Sequence, residues 1–360
     1  MQPKIVSLAS INIDEVYRVP HIVRPGETLA STGRQQTGGG KGANASVAAA
    51  RAGGTVHVVG KIGADGRWLR DQLRESGAHV EQITETGDAA TGRALIQVDS
   101  SGENSIVLSP GANHCIGDED VRRALAQCGA GDWLMLTNET SGVRAAIELA
   151  RAARMQVLWN PAPMPQDLVA ARMPVELVDV LVVNQSELAL LAAQLPGARS
   201  SAGDETGCTQ TAQAVMRRLG TRVVAVTMGS HGSVAVVRRP AANPHEIPVG
   251  DSSSSNSSSS GQSEAADLVT IRQPCAPISQ TQVIDTTAAG DAWVGYFVAE
   301  LARRQADSPE SVGALAALTP KMVECAMRVA SYASAIAVTR RGAFASIPSR
   351  LEVDAFIASQ

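Results

Sequence analysis

Lysine is scarce in this chain. Of 31 basic residues, only Lys4, Lys41, Lys61 and Lys321 are lysine, and 35 acidic residues leave a formal net charge of −4. That balance offers no basic face to nucleic acid or to an anionic membrane. Cysteine is sparse too. The five residues at 115, 128, 208, 275 and 325 are odd in number and scattered, with no C-x-x-C pair and no Cys/His cluster that would hold zinc. They read as reduced thiols of an intracellular, cytoplasmic protein. The six histidines show no metal-ligand spacing. No unbroken apolar run approaches the roughly 18 residues of a transmembrane helix. The opening MQPKIVSLASINIDEV reads as a first strand and lacks a signal peptide's apolar core. What is present is an ordinary globular composition, 44% hydrophobic and 18% charged over 360 residues, enough for one large α/β domain or two average ones.

Along the chain, short β-like runs alternate with helical patterns. KIVSLASI reads as a strand, and ANASVAAARAGG as an Ala-rich helix stopped by glycines. TVHVVGKIG is a strand, followed by a helix through Trp68 and Leu73, and GRALIQVDSSGENSIVL is a hairpin turning at Asp99–Gly102. The alternation continues through DWLMLTNE, VRAAIELARAA, MQVLWNPAP, VDVLVVN, SELALLAAQL, TQTAQAVMRRLG and RVVAVTMG. Such alternation predicts a parallel sheet covered by helices on both faces, with ligands beyond the carboxyl ends of its strands. Residues about 10–38 and 88–110 read as extra β structure, a small lid sheet. Residues about 240–279 contain GDSSSSNSSSSGQSEAAD, a tract that buries too little apolar area to offset its ordering entropy. It is expected to be a disordered surface insertion, tolerated because long loops cost little extra closure entropy.

Two glycine-rich readings fail. In TGGGKGAN, Lys41 follows Gly40, but a phosphate-binding P-loop needs a glycine where Gln35 stands and a hydroxyl where Gly42 stands. Gly38, Gly40 and Ala43 fit a loose dinucleotide fingerprint, yet the next strand supplies no ribose-binding acid roughly 20 residues on, which argues against an oxidoreductase.

The stretch DTTAAGDAWVG, residues 285–295, is more informative. Gln282, Val283 and Ile284 before it read as the end of a strand, while Val294, Phe297, Val298 and Leu301 after it mark one helical face. The amides of Ala288, Ala289, Gly290 and Asp291 then converge at a helix start, where unpaired N–H groups and the dipole favour an anion. Small side chains let that anion approach the backbone. Asp291 beside such a hole suits a general base that takes a proton from an acceptor hydroxyl during phosphoryl transfer. Taken alone, an Asp there is more often just a helix cap, a very common use of Asp.

GGGKGANASVAAARAGGTVHVVGKIGADG (38–66) and DTTAAGDAWVGYFVAEL (285–301) together resemble, in order and separation, the two signatures of the ribokinase-like (PfkB) family of carbohydrate kinases. The resemblance spans nearly the whole chain except the Ser-rich insertion. It implies one domain over residues 1–360, a three-layer α/β/α core with a mainly parallel central sheet, and a small β-sheet lid. It also implies ATP-dependent phosphorylation of D-ribose at the 5-hydroxyl, because SINIDEVYRVP with PGETLAST resembles the ribose-binding half of such kinases. By that resemblance Asn12, Asp14, Gly39, Gly40, Lys41, Asn44 and Glu139 bind sugar, Asp291 is the base, and Ala288, Ala289 and Gly290 complete the anion hole. Hydroxyl-rich sugars need paired donors and acceptors, which these residue types offer.

On the ATP side the same resemblance implies that Asn184 and Glu187 of VVNQSE hold Mg2+, largely through its waters, and that Thr227, Gly229 and Gly232 of TMGSHG lie beside the phosphates. AIAVTRRGAFAS resembles a segment holding a monovalent cation, K+. Asp285, Thr287, Ala337, Arg340 and Gly342 would supply carbonyls, with the Asp285 carboxylate and the Ser346 hydroxyl nearby. The family also implies a homodimer through the lid. Ala292, Trp293 and Ser331 depart from its usual residues near the nucleotide. The alternatives are a kinase of the same fold for deoxyribose, fructose, a keto-deoxy acid or a nucleoside, and a sugar sensor without catalysis.

Overall fold

The computed structural model describes residues 2–168, 171–198, 204–239, 267–307 and 318–360. Its first strand, β1 (Lys4–Leu8), is buried on both faces, which is why KIVSL reads as a continuous apolar run and not as an alternation. The chain leaves β1 through Ala9, Ser10 and Ile11 and enters β2 (Asn12–Arg18), which belongs to a different sheet, followed by β3 (Gly33–Gly39). Next come α1 (Lys41–Arg51), β4 (Thr55–Ile62), α2 (Arg67–Glu75), β5 (His79–Glu85), β6 (Gly92–Val98) and β7 (Asn104–Ser109). The middle of the chain holds α3 (Asp118–Leu125), β8 (Trp133–Leu136), α4 (Val143–Ala152), β9 (Gln156–Trp159), β10 (Val180–Asn184) and α5 (Gln185–Gln194). The rest is α6 (Glu205–Leu219), β11 (Val223–Thr227), β12 (Ser233–Arg238), β13 (Leu268–Gln273), α7 (Ala289–Ala306), α8 (Pro320–Ala337) and α9 (Arg350–Ala358).

Among the described residues there are two sheets. The larger has nine strands in the order β5-β4-β1-β8-β9-β10-β11-β12-β13, parallel from β5 to β11 and antiparallel for the last two. One face carries α1, α2, α7, α8 and α9 on a core that includes Val47, Leu69, Phe297, Met327 and Val353; the other carries α3 to α6 on Val121, Ile147, Leu191 and Met216. This is the expected three-layer α/β/α core. The strand order reverses between β1 and β8, the point where an open α/β sheet offers a crevice at its carboxyl ends.

The smaller sheet has the order β3-β2-β6-β7 and corresponds to the expected lid segments. Arg93 of β6 ties it to the core: its guanidinium pairs with Glu15 within the lid and with Asp65, after β4, at 2.6 Å.

Two sequence expectations change. Gln282, Val283 and Ile284 do not end a strand: residues 280–282 make a 3-10 turn, Val283 and Ile284 are exposed, and the Ile284 amide donates to the Val338 carbonyl after α8 at 2.8 Å. That segment is a loop leaning on a helix end, and among the described residues no strand pairs with it. The insertion is also shorter at its far end than 240–279, because Leu268–Gln273 pairs along β12. The Ser-rich tract itself lies outside the described residues.

Candidate active site

The crevice between β1 and β8 is closed by side chains from both strand ends. Glu139, in the loop after β8, accepts hydrogen bonds from the Ser10 hydroxyl at 2.6 Å and from the Lys41 amide at 3.0 Å. Ser10, fully buried after β1, in turn accepts from the Gly42 amide at 3.1 Å. The start of α1 is thereby pinned over the crevice. A side chain at Gly42 would put its Cβ 2.5 Å from Ala9 Cα, and Gly40, at φ 95°, makes the turn that aims the helix there. Asn44, one turn along α1, donates to Asp291 Oδ2 at 2.7 Å across nearly the whole length of the chain.

The lid supplies the opposite wall. Asn12 and Asp14 alternate along β2 onto one face, and both are buried. Gly39 lies directly under Asp14: a Cβ there would sit 2.0 Å from the carboxylate. Asn12 Oδ1 accepts from Asn113 Nδ2 at 2.7 Å, and Asn113 Oδ1 is fixed by the Ile11 amide at 2.9 Å. The Asn12 side-chain NH2 takes no part in that contact.

The structure thus brings Asp14, Lys41, Asn44, Glu139 and Asp291 into one cluster of three carboxylates around one ammonium. Burial, with the charges of Glu139 and Asp291, pushes the Asp14 carboxyl from 3.8 up to about 7 against the pull of Lys41. Burial raises Glu139 and Asp291 as well. Lys41 moves the other way from a buried lysine's tendency: Asp291, then Glu139, Glu187 and Asp14, hold its proton more firmly than burial loosens it. Asp291 keeps some solvent exposure, as a residue lining a cleft does, while protein atoms crowd its remaining sides.

Asp291 sits in the first turn of α7, but it does not cap that helix. The cap is Ala288, which makes no side-chain cap bond and stands in the left-handed region at φ 59°. The Ala289 amide reaches the Thr286 carbonyl at a long 3.3 Å, and a Cβ on Gly290 would meet nothing within 4 Å. Bare backbone therefore faces open space at the positive end of an 18-residue helix. The remaining residues expected on the nucleotide side lie at neighbouring strand ends. Asn184 ends β10 and Thr227 ends β11, while Gly229 and Gly232 take positive φ in the loop to β12. Trp293 is turned away into the core against Phe297, and Ser331 donates to the Pro274 carbonyl at 3.3 Å.

Asn184 and Glu187 form a reciprocal capping box on α5, each side chain accepting the other's amide at 2.8 and 2.9 Å. That arrangement leaves Glu187 Oε1 and a lone pair on each engaged oxygen, which fits an ion held mostly through water better than direct ligation. Asp285 is anchored by the Thr287 amide on one oxygen and the Gly342 amide on the other, both at 2.9 Å, which joins the two halves of the suggested cation loop. These hydrogen bonds hold its carboxyl below the usual range despite burial, so it stays charged. The Ser346 hydroxyl donates to the Ala343 carbonyl at 2.8 Å, the Ala337 carbonyl accepts from the Arg340 amide at 3.1 Å, and the Arg340 side chain turns to Glu352. The oxygens keep lone pairs for a cation; the Arg340 guanidinium takes no part.

Sequence reasoning missed Ser10 and Asn113. Ser10 had a signal in its place directly after an apolar strand. Asn113 had a weaker one in the Gly111-Ala112-Asn113 triplet closing the hairpin, where Gly111 takes φ 50°.

The sequence profile of the pfkB family of carbohydrate kinases matches residues 2–252 and 268–350. Over 361 aligned residues the chain is 33% identical to the ribokinase of Haemophilus influenzae, covering 99% of each. It is 26% identical to the deoxyribokinase of Salmonella typhi, over 96% of this chain and 95% of that one. Among solved structures, the ribokinase of Cryptococcus neoformans in complex with ADP matches 99% of both chains with a TM-score of 0.74 at 29% identity.

Proposed function

The chain belongs to the pfkB family of carbohydrate kinases, and from that premise we propose that this ATP-dependent sugar kinase transfers a phosphoryl group to the 5-hydroxyl of D-ribose. The observation that carries the reading is the Asn44–Asp291 contact. It sets a carboxylate between a pocket of sugar-type partners and the bare amides of α7.

Asn12, Asp14, Lys41, Asn44 and Glu139 hold the sugar hydroxyls, with Gly39 and Gly40 giving them room. Asp291 takes the proton of the attacking hydroxyl. Burial raises its pKa and so makes it a better proton acceptor than an ordinary carboxylate, while the charge of Lys41 beside it opposes that rise. The amides of Ala288, Ala289, Gly290 and Asp291 receive the charge that develops on the transferred group. Thr227, Gly229 and Gly232 line the phosphates. Mg2+ near Asn184 and Glu187 would neutralise phosphate charge. K+ held by the carbonyls of Asp285, Thr287, Ala337, Arg340 and Gly342 with Ser346 would stiffen the loop leading into α7. On the lid, Leu95 of β6 and its cross-strand partner Val107 of β7 are exposed together on one face, which supports a homodimer through that sheet.

The test is ADP release from MgATP with a panel of sugars, with and without K+. Ribose-dependent turnover that K+ raises is expected. Preferential turnover of deoxyribose or fructose would move the chain to another branch of the family, and sugar binding without turnover would make it a sensor.

A further inference from the structure

His57 is the third residue of β4 and His79 the first of β5, and the parallel pairing of these strands sets them side by side at the edge of the large sheet. Their rings stack, with centroids 4.5 Å apart and planes 11° from parallel. Glu81 lies two residues beyond His79, so it returns to the same face of the strand. One ligand atom from each of the three lies within 4.8 Å of the others. No short spacing links the two histidines along the chain, so the sequence gives no sign of the pair; the crossover through α2 creates it. Among the described residues, none of the three side chains forms a hydrogen bond or an ion pair, so their lone pairs are uncommitted.

We propose that His57, His79 and Glu81 form a binding site for a late first-row divalent ion, with Zn2+ as its occupant. Two imidazole nitrogens and one carboxylate are the donor set such ions prefer, and it discriminates against Mg2+. Tetrahedral Zn2+ with bonds of about 2.0–2.1 Å spaces its donors about 3.3 Å apart. Rotation of the exposed His79 and Glu81 side chains supplies the closure, and the fourth position is left to water. The site lies towards the amino ends of β4 and β5, whereas the sugar and nucleotide groups gather at the carboxyl ends of the sheet. It would clip the edge strand β5 to β4 beside the shift in register between His57 and Val59.

The test uses the metal-free full chain, titrated calorimetrically with ZnCl2 and followed by thermal unfolding, alongside His79→Ala and Glu81→Gln. Both variants change exposed side chains, so their metal-free Tm should match the wild type. The expected result is one-to-one Zn2+ binding in the wild type that raises Tm, weakened at least about tenfold in each variant, with no comparable response to MgCl2. Wild-type protein that takes up no Zn2+, or His79→Ala that binds it as tightly as the wild type, would overturn the proposal.

Discussion

At the scale of single residues, the site is governed by how few positive charges face its carboxylates. Burial raises the carboxyls of Asp14, Glu139 and Asp291, and among the described residues Lys41 is the cation that opposes it, so all three hold their protons to higher pH than exposed carboxylates do. For Asp14 the sign is clear. Its folded pKa of about 7 lies above the ordinary 3.8, so the folded state binds more protons than the unfolded one between those values. Stability without substrate should therefore fall as pH rises through that window, by an amount of the order of a few kcal/mol at most. Asp14→Asn should flatten the decline while weakening sugar binding, which denaturant titrations at pH 5 and pH 8 with a parallel ribose titration would check. Asp291→Asn should lower kcat by about 10²–10⁴-fold and leave ribose binding nearly intact; a proportional loss of both would mean that Asp291 acts mainly in binding. Asn113→Ala touches no substrate but frees Asn12 to turn, so it should raise KM for the sugar more than it lowers kcat.

At the scale of elements, the close crossing of α1 and α7 brings Asn44 to Asp291. Gly295 makes it possible: a Cβ there would lie 2.3 Å from the Ala45 carbonyl oxygen and 2.5 Å from Ala48 Cβ. Gly295→Ala should therefore destabilise by about 1–3 kcal/mol, read from urea unfolding, and should reduce activity beyond the loss of folded protein because the base moves with its helix. Legibility in the sequence varied by element for related reasons. Buried parallel strands such as LVVN and AVT, and helices with a single apolar stripe, announce themselves by period. The strand β5 does not, because its register shift breaks the alternation of HVEQITE. The strand suggested at Val283 and Ile284 fails because apolar residues alone do not supply a pairing partner. The helix α8 carried a usable signal in Thr319 followed by Pro320, cap and first-turn proline, that apolar period alone did not reveal. The proposed site residues could be named from the sequence because they fall within the two signature stretches or beside motifs of the family, and of them Gly40, Gly229 and Gly232 also mark special backbone. The partners that orient them, Ser10 and Asn113, are ordinary polar residues whose role exists only once distant strands meet.

At the scale of the whole molecule, the proposed sugar partners are divided between two bodies. Asn12, Asp14 and Gly39 ride on the small sheet, while Asn44 and Asp291 sit on α1 and α7, packed on the large sheet, and Glu139 in the loop after β8. The small sheet also carries the exposed Leu95, Ile106, Val107 and Leu108. Val107→Asp with Leu95→Lys should yield a monomer by sedimentation and raise KM for the sugar, since the lid would lose its support; a double variant that remains dimeric would place the subunit contact elsewhere.

The Arg93 tie between Glu15 on the lid and Asp65 on the core gives this division a further consequence. It is an ion pair open in part to solvent, so dissolved ions weaken it. The attachment of the small sheet to the core should then weaken as ionic strength rises. A tetramethylammonium salt, whose cation is too large to replace K+, should lower the affinity for ribose and leave the affinity for nucleotide nearly unchanged.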